Sequence, residues 1–210
     1  MPVHVLHIGK TGGSAVKAAL RPLAEDYDIL LREHAATLED VPAGEGVVFF
    51  LRDPVERFVS AFNSRLRRGR PLYDSPWREG EAQAFAVFPT PNALAESLSS
   101  PEATLRGRAC NAMQDINHLN RHYSYWLGNS GYIESRRADI RFVGRTERLA
   151  EDFERLKQLL GLPPNVSLPT DPVEAHVTPQ GFASELSPTG RKNIAQWYAD
   201  DAAIMAHLRL

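Results

Sequence analysis

The sequence is poor in cysteine and lysine and has no long apolar run. Its single cysteine, Cys110, excludes an internal disulfide framework and any cysteine-built zinc site. No apolar stretch approaches the roughly 18 residues of a transmembrane helix. The N-terminus has no basic segment followed by a long apolar one, so no secretory signal is expected and the cytoplasm is the expected location. Repeats and low-complexity tracts are absent. The formal net charge is only −2, which argues against a chain built to coat nucleic acid. Lysine is scarce in a specific way. Of 24 Lys+Arg residues only Lys10, Lys17, Lys157 and Lys192 are lysine, leaving 20 arginines. Such a bias reflects either genome composition or arginines that bind anions.

What is present fits one domain of 210 residues. Val3 to Ile8 reads as a buried strand and Ser14 as the cap of a helix reaching about Ala24. Asp28 to Leu31 and Val47 to Leu51 read as further strands. Asp53 and Pro54 then read as the cap and first residue of a helix striped by Phe58, Ala61, Phe62 and Leu66. Residues 69–91 read as an irregular loop, and 92–126 as helical pieces broken near Pro101 and Gly107. A strand at Ile140 to Val143 precedes a helix from about Glu147 to Leu160. A proline-rich loop follows over 161–188, and a last helix spans Ser187 to Leu208. Strands alternating with helices predict an α/β fold with a mostly parallel sheet covered on both faces, and ligands in such sheets sit beyond the carboxyl ends of the strands.

His7-Ile8-Gly9-Lys10-Thr11-Gly12-Gly13-Ser14 falls at such an end. Its backbone N–H groups, Lys10 and the Thr11 and Ser14 hydroxyls can form a pocket for a phosphate-like anion. The other reading is a plain strand-turn-helix corner. The nucleotide-binding P-loop places its lysine after the second glycine, whereas Lys10 precedes the Gly-Gly pair. A second motif, Arg52-Asp53-Pro54-Val55-Glu56-Arg57-Phe58-Val59-Ser60, offers an arginine at a strand end and a serine two helical turns on. Arg57 and Ser60 share a helix face. A guanidinium fork suits phosphate, so two anion pockets at neighbouring strand ends would suit a nucleotide with phosphates at both ends.

Together the two motifs resemble the sulfotransferase family. Lys10 to Ser14 looks like its 5′-phosphosulfate loop, and Arg52 to Ser60 like its 3′-phosphate site. The Gly-Gly form is similar to the carbohydrate branch, known as Golgi enzymes and as soluble bacterial proteins. Phe142-Val143-Gly144-Arg145-Thr146-Glu147-Arg148-Leu149 with Asp152-Phe153 resembles a later unit of the family. The resemblance implies a P-loop-like three-layer αβα fold spanning 1–210, with 67–139 as a helical or irregular insertion on the acceptor side. It implies transfer of a sulfuryl group from 3′-phosphoadenosine 5′-phosphosulfate to a hydroxyl or amine of a small-molecule or carbohydrate acceptor, with no metal. By position, Lys10 would act on the phosphosulfate and its leaving oxygen. Thr11, Gly12, Gly13 and Ser14 would bind the 5′-phosphate, and Arg52 and Ser60 the 3′-phosphate, with Arg57 as a helper. Alternatives are a small-molecule kinase, disfavoured by the lysine position, and a non-catalytic nucleotide-binding module, disfavoured by the complete set Lys10, Ser14, Arg52 and Ser60.

An acceptor hydroxyl must lose a proton, so a base is needed. His34, after the second strand and in a region where the carbohydrate branch often has its base, is the choice; Glu33 is the runner-up. His7 reads as a core histidine beside the loop. His118 and His122 have a metal-compatible spacing but no patterned third ligand. Cys110 to Trp126 reads either as an aromatic acceptor wall or as a core stripe. Arg65, Arg67, Arg68 and Arg70 read as a solvated helix end, the other reading being a patch for an acidic acceptor. Residues 174–192 hold the place of a lid over the adenosine.

Overall fold

A computed structural model describes residues 1–173, 178–179 and 181–209. The chain forms two compact units: Met1–Arg52 with Tyr123–Val177 and Ala203–Leu210, and Asp53–His122 with Thr178–Ala202.

The first unit is built on a sheet of four parallel strands, β1 (Val3–Val5), β2 (Ile29–Leu31), β3 (Gly46–Leu51) and β4 (Ile140–Arg145), in the order β2-β1-β3-β4. Every residue of β3 is buried, as a strand covered on both faces requires. Alternation splits its side chains between two cores. Val48 and Phe50 pack with Val5, with Val16 and Leu20 of α1 (Gly13–Leu20), and with Phe153 and Leu156 of α8 (Leu149–Leu160). Val47, Phe49 and Leu51 pack with Leu6 and Ile8, with Tyr123 and Trp126 of α6 (Tyr123–Leu127), with Ile133 of α7 (Ser130–Ser135), and with Ile204 and Leu208. The expected α/β architecture, a parallel sheet flanked by helices, is therefore present.

The second unit is helical: α2 (Pro54–Leu66), α3 (Glu79–Val87), α4 (Pro91–Ser97), α5 (Ala103–Asp115) and α9 (Pro188–Trp197) surround one core that includes Phe58, Phe62, Phe85, Met113, Ile194 and Tyr198. Asp53 caps α2 as expected, its Oδ1 accepting from the N–H groups of Val55 (2.9 Å) and Glu56 (3.1 Å).

The elements depart from expectation at several points. β1 ends at Val5, although the Leu6 N–H still bonds Val48 O at 3.0 Å. Residues 69–91 are not all loop, because they contain α3. That helix buries only Glu81, Ala84 and Phe85, so its core face includes a carboxylate and carries little apolar periodicity. Gly107 lies inside α5 and breaks nothing; open space surrounds it, and its cost of about 1 kcal/mol is opposed by burial of Ala109, Ala112 and Met113. The last helix is two, α9 and α10 (Ala199–His207), parted at Tyr198, whose hydroxyl donates to Leu119 O at 2.8 Å. Part of the expected lid, 174–177 and 180, lies outside the described residues. Among its described residues, Thr178 accepts from Arg67 at 3.4 Å, Ala183 O accepts from Asn63 at 2.8 Å, and Ser187 caps α9. Among the described residues, no helix is long and apolar enough to cross a membrane.

Candidate functional site

Parallel pairing puts all four strand ends of the first unit on one edge. The strand order reverses around β1, which lies between β2 and β3, and in open α/β sheets ligands bind beyond the strand ends at such a point. Val5 is paired with Val48, and Gly9 and Arg52 each lie four residues beyond that pair in sequence. The Gly9–Ser14 loop and Arg52 therefore occupy the two sides of the switch point.

The loop turns sharply. Lys10 has φ 68° and Gly12 φ 84°, both in the left-handed region, which is costly for the lysine and natural for the glycine. Gly12, and not Ser14, is the N-cap of α1, and no side chain caps the helix. Its first-turn N–H groups are thus available to an anion. Gly13 is needed for another reason. A Cβ there would lie 2.6 Å from Cδ2 and 3.0 Å from Nε2 of His7, so only glycine lets the buried imidazole lie against the loop. Thr11 is 1% exposed and its hydroxyl donates to Ile8 O at 2.9 Å, so that hydroxyl braces the loop and cannot also serve a ligand as donor. The Ser14 hydroxyl, half-buried, has no hydrogen bond among the described residues.

Arg52 is half-buried, and its guanidinium has no hydrogen bond or ion pair among the described residues. Its backbone is gripped by Tyr123, whose hydroxyl accepts from the Arg52 N–H (3.1 Å) and donates to Arg52 O (2.6 Å). Thr146, after β4, donates to Leu51 O at 3.1 Å. The stretch around Phe142–Phe153 is organised by Asp152, which is 1% exposed and accepts from the Arg145 N–H (2.7 Å) and from Arg148 Nε (2.9 Å). Burial alone would raise the Asp152 pKa; hydrogen bonds from Arg148 and Arg145 outweigh it and hold the carboxyl below its usual range.

After β2, Lys17 of α1 donates to Arg32 O (3.0 Å) and to Glu33 Oε1 (2.8 Å). The lysine hydrogen bond and charge hold Glu33 below the ordinary carboxylate range, which makes it a poorer base than its position alone suggests. His34 is exposed, its backbone O accepts from the buried Trp126 indole at 2.9 Å, and its ring centroid lies 3.6 Å from that of His7, tilted 31°. The first unit thus brings together Lys10 to Ser14, Arg52 and, beside the loop, His34.

Ser60 belongs to the second unit, in the second turn of α2; it is half-buried and its hydroxyl has no hydrogen bond among the described residues. Arg57 is not available as a helper. It is 1% exposed, donates to Arg121 O at 2.8 Å and lies 3.7 Å from Asp201. Arg65 is likewise no solvated helix end: it is 5% exposed and grips Glu81 through two hydrogen bonds of 2.7 Å. Only part of that basic cluster faces water, with Arg70 paired to Asp74 at 2.6 Å. Tyr123 and Trp126 are wholly buried, so of the two readings of Cys110 to Trp126 the core stripe holds for them. His118 sits in a turn with φ 70° and His122 lies 3.3 Å from Asp201, so the two histidines share no helix face.

Two pairings at this edge are not announced by the sequence. The grip of Tyr123 on Arg52 spans 71 positions, and nothing local announces it. The His7–His34 pair was detectable only in that both histidines closely follow parallel strands.

The family model described as the sulfotransferase family matches residues 3–204. No curated protein and no solved structure matches the chain.

Proposed function

The chain belongs to the sulfotransferase family, and we propose that it transfers a sulfuryl group from 3′-phosphoadenosine 5′-phosphosulfate to the hydroxyl of an acceptor. The Gly-Gly form of the loop favours a carbohydrate. One observation carries the reading: the Lys10–Ser14 loop and Arg52 end adjacent strands at the switch point, each with donors no described residue occupies, the Ser14 hydroxyl and the Arg52 guanidinium.

In this reading the N–H groups of Thr11, Gly12 and Gly13 and the Ser14 hydroxyl hold the 5′-phosphate. Arg52 takes the 3′-phosphate, and the motif's likeness to the family gives Ser60, eight positions later in the sequence, as the second donor. The acceptor oxygen bonds to sulfur while the bond from sulfur to the bridging oxygen breaks. Lys10 neutralises charge on that leaving oxygen, and His34 accepts the acceptor proton. Adenosine 3′,5′-bisphosphate leaves. Catalysis then rests on positioning and preorganised charge, as in phosphoryl transfer.

Calorimetry with adenosine 3′,5′-bisphosphate and with ATP tests the donor assignment. Tight binding of the bisphosphate with weak binding of ATP is expected. The reverse order would overturn the assignment and point to a kinase.

A further inference from the structure

We infer that His7 is a positioning residue that sets the place of the His34 imidazole relative to the Lys10–Ser14 loop; this rests on the reading of His34 as the base. His7 is 6% exposed and lies in the segment leading from β1 to the loop. One edge of its ring, Cδ2 and Nε2, faces Gly13 so closely that a methyl group there has no room. One face of the same ring meets His34 at a centroid separation of 3.6 Å. A single rigid ring therefore touches both the loop and the base.

The main chain on either side of His34 is held separately from its ring. The backbone leading to His34 is tethered on two sides, by Lys17 to Arg32 O (3.0 Å) and by the Trp126 indole to His34 O (2.9 Å). Those bonds fix where the His34 main chain runs, but neither touches its side chain. The imidazole itself is exposed to solvent and has two rotatable bonds, and the His7 ring packed against its face restrains which orientations it adopts. A ring is required at position 7 because a short aliphatic side chain leaves the His34 face uncovered. A histidine fits better than a larger ring, since Gly13 already leaves no spare space. In a transfer whose catalysis is positional, a displacement of about 1 Å at the base costs on the order of a hundredfold.

The test uses the full chain with histidine rings labelled with 13C, the His34 signal being identified by its loss in His34→Ala. In the wild type, saturation with adenosine 3′,5′-bisphosphate is expected to shift the His34 ring resonance, because loop and base share the His7 ring. In His7→Ala the bisphosphate should still bind, and the His34 shift should vanish. In His7→Phe, which keeps a flat ring, part of the shift should return. A wild-type-sized His34 shift in His7→Ala overturns the proposal. Failure of the donor reading looks different, since calorimetry then shows no bisphosphate binding to the wild type. Placement is then judged in the unliganded chain, where His7→Ala must move the His34 resonance and an unmoved resonance overturns it. Circular dichroism identifies a misfolded His7→Ala, in which case His7→Phe and Gly13→Ala carry the test. Gly13→Ala must displace the His34 resonance by pushing the His7 ring, and His7→Phe must leave it closer to the wild-type position than Gly13→Ala does. The absence of both effects overturns the proposal.

Discussion

The Tyr123 hydroxyl holds both backbone polar groups of Arg52, accepting from its N–H at 3.1 Å and donating to its carbonyl at 2.6 Å. A fully buried phenol on α6 thus completes the hydrogen bonding of the last residue of the β3 exit, where the ladder no longer can. Tyr123→Phe leaves two backbone groups without that partner. The expected loss is about 1–3 kcal/mol, read from the midpoint of urea unfolding. The same variant should weaken binding of adenosine 3′,5′-bisphosphate in calorimetry, because the Arg52 main chain is no longer pinned.

Arg52→Ala should cost more at the ligand than in the fold. Its guanidinium makes no hydrogen bond among the described residues, so unfolding should change little. A lost charge-assisted contact to phosphate is worth about 1.5–3 kcal/mol, or roughly ten- to a hundredfold in the Kd of the bisphosphate. Ser60→Ala, losing a neutral donor, should cost about tenfold or less. Equal bisphosphate affinity in wild type and Arg52→Ala would remove Arg52 from the site.

The two neighbouring candidates for the base separate by substitution. Glu33 is engaged by Lys17 and shifted toward the ionised, weakly basic form, and its side chain is 80% exposed. Glu33→Gln should leave transfer of radiolabelled sulfate to a panel of sugar hydroxyls within about threefold of wild type, since the glutamine amide oxygen can still accept from the buried Lys17. His34→Ala should lower the same rate by about 10²- to 10⁴-fold, the usual contribution of a general base. The opposite ranking would transfer the role to Glu33.

In the second unit, acid should act through Glu81. Burial alone would raise its pKa, but hydrogen bonds from Arg65 and from the N–H groups of Arg78 and Asn117 outweigh burial, and the net direction is down. A carboxyl depressed in the folded state contributes stability that is present above its unfolded pKa and is lost as pH falls through the lower folded value. Unfolding midpoints measured from pH 7 down to pH 3 should therefore fall more steeply in wild type than in Glu81→Gln. At neutral pH Glu81→Ala leaves Arg65 buried without its partner and should cost about 3–5 kcal/mol.

Local chemistry made much of the fold readable. Asp53 followed by Pro54 announces the start of α2, and the unbroken apolar run Val47 to Leu51 announces a strand covered on both faces. The loop Gly9 to Ser14 was readable because its glycines and lysine are contiguous. What stayed hidden lies in pairings of distant residues. Glu81 marks α3 as a core helix only once Arg65, sixteen positions earlier, is known to face it. Arg57 looks like a ligand on its own helix and proves to be bonded to carbonyls some sixty positions away. Polar residues that satisfy one another inside the protein carry the same letters as those that wait for a ligand, and only the fold tells them apart.

The left-handed backbone of Lys10 has a consequence for how this position changes over generations. A lysine held at φ 68° gives up about 1 kcal/mol relative to a glycine at the same place. Selection for folding alone would let the position drift to glycine or asparagine. In a library screened only for thermal resistance, Lys10→Gly should be enriched, and the enriched proteins should be the ones that have stopped transferring sulfate.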